Sequence, residues 1–158
     1  MAIEKVRTYF KQFDLESKIL EFEVSSATVD LAAEAVGVEG KRIAKTLSFK
    51  VDEKAILIVA AGDARVDNKK FKALFHTKAK MLTPEEVDTM IGHSIGGVCP
   101  FGINDDVKVY LDESLRRFDT VFPACGSSNS AIELTCPQMG QYAQNFQAWV
   151  DVCKLPEV

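Results

Sequence analysis

The sequence predicts an α/β domain of the α+β type, a mixed, mostly antiparallel sheet flanked by helices, forming a single domain over residues 1–158. Three observations carry this expectation. Segments of helical spacing and of strict alternation interleave from end to end. No low-complexity tract, internal repeat or Pro/Gly/Ser-rich linker divides the chain. And 158 residues, 47% of them hydrophobic, suffice for one core but would be cramped as two domains.

The opening segment is helical, with Val6, Tyr9, Phe10 and Phe13 at helical spacing, after which Leu20, Phe22 and Val24 alternate with Glu21 and Glu23 as in a half-exposed strand. A second helix begins near Thr28, with Asp30 favourable to the dipole in its first turn and Gly37 as its stop. From Lys45 to Val51 the alternation is clean. A turn at Asp52-Glu53-Lys54 returns the chain through the nearly all-apolar Ala55 to Ala61, which predicts a hairpin at the sheet centre. Asp67 caps a helix bearing Phe71, Leu74 and Phe75, and Thr83-Pro84-Glu85-Glu86 joins a capping box to a first-turn proline, with Gly92 as the stop. The segment from His93 to Gly102 holds three glycines and a proline but no regular period, so it reads as a shaped loop. Short strands are expected over 107–111, 121–124 and 131–134, the last two separated by the turn formers Gly126 to Ser130. A closing helix starts near Thr135 and includes Phe146, Trp149 and Val150.

Nineteen basic against 23 acidic residues leave a net charge of −4. Such a chain is no generic polyanion binder, and any nucleic-acid contact must use a local basic surface with modest, salt-sensitive affinity. The run Lys69, Lys70, Lys72, Lys78 and Lys80 is the first candidate for that surface. The start of the chain is charged and amphipathic rather than a signal peptide, and no stretch is apolar enough to span a bilayer. Cys99, Cys125, Cys136 and Cys153 form no CxxC pair and have no zinc-like spacing. They are expected to be reduced thiols in a cytoplasmic protein, with no metal and no cofactor.

Walker A, GxGxxG, GxSxG and HExxH patterns are absent. Lys45 is the most telling position, because in its strand it shares parity with Leu47, Phe49 and Val51, the apolar side. Either its ammonium snorkels to water at the strand entrance or it projects into a pocket, where low solvation strengthens its hold on negative charge. The loop Gly96-Gly97-Val98-Cys99-Pro100-Phe101-Gly102 can bring backbone N–H groups close to a ligand, or can be an ordinary connection. Cys99 and Cys125 adjoin such loops, yet a thiol nucleophile needs an activating base, and neither His76 nor His93 stands in a Cys/His motif.

Taken in order, Ser25-Ser26-Ala27-Thr28 with Ala32-Ala33-Glu34-Ala35, Ile43-Ala44-Lys45-Thr46-Leu47, Gly96 to Gly102, and Gly126-Ser127-Ser128-Asn129 resemble the YbaK/prolyl-tRNA synthetase editing-domain family. The resemblance runs from about Phe22 to Leu134. It implies a free-standing aminoacyl-tRNA deacylase that hydrolyses the ester of a mischarged tRNA, carrying a small amino acid such as alanine or cysteine on tRNA-Pro. The implied partner is the tRNA 3′ end, with a synthetase as a further one. By position, Lys45 matches the family's strand lysine and is assigned the catalytic role. Substrate binding falls to Gly96, Gly97, Val98, Pro100 and Gly102 of the glycine loop, with Gly126, Ser127 and Ser128, and to the polar groups Ser26 and Thr28. N–H groups around Gly97, Val98 and Gly102 would position water and carbonyl. A non-catalytic module that holds an aminoacyl end or a nucleotide is the alternative, and a thiol-dependent hydrolase using Cys99 or Cys125 is a third reading.

Overall fold

The computed structural model describes residues 2–156. Helix α1 (Ala2–Lys11) buries Ile3, Val6 and Phe10, and a short 3-10 turn (Glu16–Lys18) leads to β1 (Leu20–Glu21). Helix α2 (Val29–Val36) starts on Thr28, whose hydroxyl accepts from Leu31 N–H, and ends at Gly37 with φ +84°. Then come β2 (Ile43–Val51), β3 (Lys54–Ala61), β4 (Arg65–Val66) and α3 (Asn68–Phe75), the last capped by the Asp67 carboxylate on two N–H groups. Thr83 and Glu86 close a capping box on α4 (Pro84–Glu86), which continues as a π turn (Val87–Ile91) ended by Gly92. After the glycine loop follow β5 (Lys108–Asp112), β6 (Thr120–Pro123), β7 (Ser130–Ala131), β8 (Leu134–Thr135), α5 (Cys136–Tyr142), β9 (Phe146–Val150) and β10 (Cys153–Lys154).

Six strands form the main sheet in the order β8-β6-β2-β3-β5-β9, so the expected hairpin β2–β3 does lie at its centre. The turn is made by Asp52 and Glu53, both at positive φ. Among the described residues, four strand pairings are antiparallel and three are parallel; the parallel ones, β2–β6, β3–β5 and β5–β9, all lie in the main sheet. After the exposed Lys54, strand β3 is apolar because it is covered on both faces, and every residue from Ala55 to Ala61 is buried. Phe49 contacts Phe71, which contacts Phe75, which meets Tyr110 edge-on, pinning α3 to one face.

Two expectations are corrected. The alternating segment after Leu20 pairs as a strand only over Leu20–Glu21, against β7; Phe22 N–H then donates to Asn129 carbonyl and Ser26 N–H to Ser128 carbonyl, so this stretch docks as a loop. Phe146, Trp149 and Val150 belong not to the closing helix, which ends at Tyr142, but to strand β9. The cause is a bulge: Phe146 pairs with Val109 while Ala148 pairs with Tyr110, which leaves Gln147 as the extra residue. One extra residue puts positions three apart on the same face, and the Phe146 and Trp149 rings do meet at 6.4 Å. A bulged strand thus imitates helical spacing.

Candidate functional site

The parallel pairing of β2 with β6 covers only Ile43 and Ala44, and the next contacts on that edge are Lys50 N–H to Lys80 carbonyl and Leu82 N–H to Ser48 carbonyl. Residues 45–47 therefore border a gap. Since Ser48 and Lys50 use their backbone groups toward this edge, alternation turns the Thr46 N–H and C=O toward it as well. A cavity of about 300 Å³ fills the gap, between β2, the start of α2, the glycine loop and β7.

Of the residues singled out in the sequence, Ser26, Thr28, Lys45, Gly96 and Val98 line this cavity. Ala32, Ala44, Leu47, Phe122 and Ala131 supply apolar wall, and Ile95, 61% exposed, stands at the loop. The hydroxyls of Ser26 and Thr46 are buried and have no partner among the described residues. A buried hydroxyl without a partner costs about 1–3 kcal/mol, so two of them in one cavity mark it as built for a polar guest. Thr46 was missed in the sequence because it sits beside Lys45 in an ordinary alternation, and only the early end of β6 exposes its edge.

The other named residues stand behind the cavity. Gly97 packs on the chain at Gly126 and Ser127: a Cβ there would lie 2.5 Å from Ser127 N and 2.7 Å from the Gly126 carbonyl carbon. Ser128 holds the rim, its carbonyl accepting from Ser26 N–H at 2.6 Å, while the Ser127 hydroxyl bonds to Asn129 Oδ1 and Ser130 Oγ. Pro100 is buried and its carbonyl accepts from Gln144 N–H. Gly102 and Gly126 lie against the backbone of α1, at Lys5 and Ala2. The donors expected around Gly97, Val98 and Gly102 need revision accordingly. Gly97 N–H already donates to Ser94 carbonyl at 3.1 Å, and Gly102 lines no part of the cavity, whereas the N–H groups of Gly96 and Val98 have no partner among the described residues.

Lys45 is half-buried. Its Nζ does not hang free in the cavity but donates to the carbonyls of Gly62, at 3.4 Å, and Ala64. Burial pushes its pKa down, and the charge of Arg65 acts in the same direction. The same side chain borders a second cavity of about 610 Å³ with Asp63, Arg65 and Lys154. The basic run is elsewhere: Lys69, Lys72 and Lys78 line a separate groove that shares no residue with either cavity, and Lys70 is tied to Asp151 and the Cys153 carbonyl.

His93 organises the glycine loop. Its Nδ1 accepts from Cys99 N–H at 3.3 Å and its Nε2 lies 3.1 Å from Gly102 carbonyl, an arrangement that requires the neutral ring with the proton on Nε2. Burial holds its pKa below the ordinary histidine value. As pH falls through about 6.5, the unfolded chain takes up a proton that the folded ring refuses. Stability attributable to His93 is therefore complete above that pH and lost below it, down through the depressed folded value. Denaturant titrations of wild type between neutral and mildly acidic pH are expected to show this fall, and His93→Gln to flatten it; parallel curves would contradict the assignment.

The Cys99 sulfur is 3.8 Å from His93 Nδ1, yet it is fully buried and its pKa is pushed up to about 12 by burial. Such a thiol is not ionised near neutral pH. Cys125, Cys136 and Cys153 are likewise buried and free. Among the described residues, no helix is long and apolar enough to cross a membrane.

Residues 23–140 match the family model described as aminoacyl-tRNA editing domain. The chain is 56% identical to the Bacillus subtilis protein YwhH over 98% of both chains. It is 32% identical to the proline–tRNA ligase of the same organism, over 73% of this chain but 18% of the ligase. A crystal structure of "a putative trans-editing enzyme for prolyl tRNA synthetase" superposes with a TM-score of 0.86 at 30% identity, covering 97% of each chain. The protein APE2540, at 24% identity and TM-score 0.83, shares the fold.

Proposed function

Because this chain belongs to the aminoacyl-tRNA editing-domain family, we propose that it is a deacylase that hydrolyses the ester between a small amino acid, alanine or cysteine, and the 3′ end of tRNA-Pro. The observation that carries this reading is the cavity beside Lys45, small, largely apolar and provided with two unsatisfied hydroxyls. The likeness to part of a proline–tRNA ligase and to the structure of "a putative trans-editing enzyme for prolyl tRNA synthetase" supports tRNA-Pro as the carrier.

In this account the amino-acid side chain lies against Ala32, Ala44 and Phe122, and the hydroxyls of Ser26 and Thr46 accept from its α-ammonium. The cavity refuses larger side chains by volume, the kind of discrimination that pockets make well. Water adds to the ester carbonyl; the oxyanion of the tetrahedral intermediate receives the N–H groups of Gly96 and Val98; the C–O bond to the ribose breaks, releasing the free amino acid and a 3′ hydroxyl. Lys45 binds the terminal ribose or its phosphate and sets the ester in place. Among the described residues no carboxylate or imidazole lines the cavity, so the proton of the attacking water passes through the vicinal hydroxyl of the ribose to the leaving oxygen.

The test is loss of ester from alanyl-tRNA-Pro on addition of the protein. Because the thiols are buried, iodoacetamide applied to the native protein is expected to leave the rate unchanged; substrate-protected inactivation would move the chemistry to a cysteine. Tight retention of alanyl-tRNA-Pro without hydrolysis would favour the binding module instead.

A further inference from the structure

Strands β4 and β10 form a two-residue antiparallel ribbon in which Lys154 lies directly opposite Arg65. Like charges opposed across a ladder are destabilising, and a ribbon this short has little to spare. Both side chains are exposed, border the second cavity with Lys45, and form no ion pair among the described residues. The nearby acids among the described residues are committed. Asp63 is gripped by Arg117 through two nitrogens, at 3.2 and 2.5 Å, and Asp67, which feels the Lys154 charge, accepts from Lys69 and Lys70 N–H at the cap of α3. In a chain of net charge −4, three cations converge on one hollow in which the one acid among the described residues is neutralised.

We propose that the cross-strand pair Arg65–Lys154 is a phosphate subsite that binds the backbone of a nucleic-acid strand whose 3′ end enters the first cavity. The proposal rests on the deacylase reading for the identity of that strand. A phosphodiester between the two side chains relieves their repulsion, with the guanidinium able to hold two of its oxygens. Lys45 stands between the cavities, so a strand with its terminal ester in the first places its preceding phosphates at the second. The lysine run on and after α3, although richer in charge, borders neither cavity.

The experiment is binding of an uncharged acceptor-stem minihelix ending in CCA, followed across a salt series. For wild type, log K is expected to fall linearly with log salt concentration. Arg65→Ala and Lys154→Ala should each make the slope shallower, and the double variant should make it shallower by about 0.7, the value for one contact to a single-stranded phosphate. Arg65→Lys should restore most of its share, and Lys108→Ala, an exposed lysine on β5, should change nothing. An unchanged slope in the double variant overturns the subsite, as does absence of wild-type binding, or a loss seen for ATP but not for the minihelix. Amino-acid release by wild type is measured in parallel: release with an unaltered slope overturns the subsite alone, whereas no release overturns the deacylase reading while the slope still decides the subsite.

Discussion

Lys45→Ala is expected to slow amino-acid release by about 10²–10³-fold, the usual cost of removing one preorganised electrostatic group from a reaction centre. The lysine's value comes from its setting. Two backbone carbonyls, of Gly62 and Ala64, fix the ammonium, and burial leaves it poorly solvated, so its attraction for a ribose or phosphate oxygen is less screened than at a surface. Removing it also leaves those carbonyls without their donor, at a cost of about 1–3 kcal/mol, so rates must be compared at equal folded concentration. Lys45→Arg keeps the charge but replaces a compact ammonium with a planar fork, and should recover only part of the loss. A wild-type rate in Lys45→Ala would remove this residue from the mechanism.

Gly97→Ala is expected to be the most damaging change in the glycine loop. The obstacle is space, since the new methyl would meet backbone atoms of Gly126 and Ser127 at 2.5 to 2.8 Å, and backbone cannot swing aside as a side chain can. Overpacking of this kind costs about 1–3 kcal/mol. The loop can relieve it only by moving away from Gly126, which shifts Gly96 and Val98, whose N–H groups have no partner among the described residues. A displacement near 1 Å is enough to cost about 10²-fold in rate. Gly37→Ala is the contrasting case: Gly37 has φ +84° with open space around it, so alanine strains the backbone by roughly 1–2 kcal/mol and leaves release per folded molecule unchanged. Equal activity losses in the two variants would show that general destabilisation, not loop position, controls the rate.

Capping made much of the fold legible. Thr28, Asp67, Thr83 and Thr135 each satisfy N–H groups two or three residues ahead, so their chemistry is written within one turn of sequence. The central hairpin was legible for the same reason, being a local turn between two alternating runs. Strand β9 was not, because a bulge against β5 decides which of its side chains share a face, and that pairing is set by a distant strand. The site divides in the same way. Lys45 and the glycine loop stand out as a lysine of apolar parity and an aperiodic glycine-rich run, but the loop's internal division of labour does not. Gly97, Gly102 and Gly126 accommodate close backbone contacts, while Gly96 and Val98 face the cavity, and only the packing of α1 and the Gly126 turn separates them. Thr46 depends on where β6 stops, and Arg65 and Lys154 on the pairing of two chain segments far apart in sequence.

The most direct measurement is the release of amino acid from tRNA-Pro charged in turn with alanine, cysteine, serine, threonine and proline, with wild type and Lys45→Ala compared at equal folded concentration. Rapid, lysine-dependent release of alanine or cysteine, with prolyl-tRNA-Pro left intact, is the result predicted by a small cavity with a fixed ammonium. Hydrolysis of the prolyl ester at the same rate, or no release of any amino acid, would contradict it.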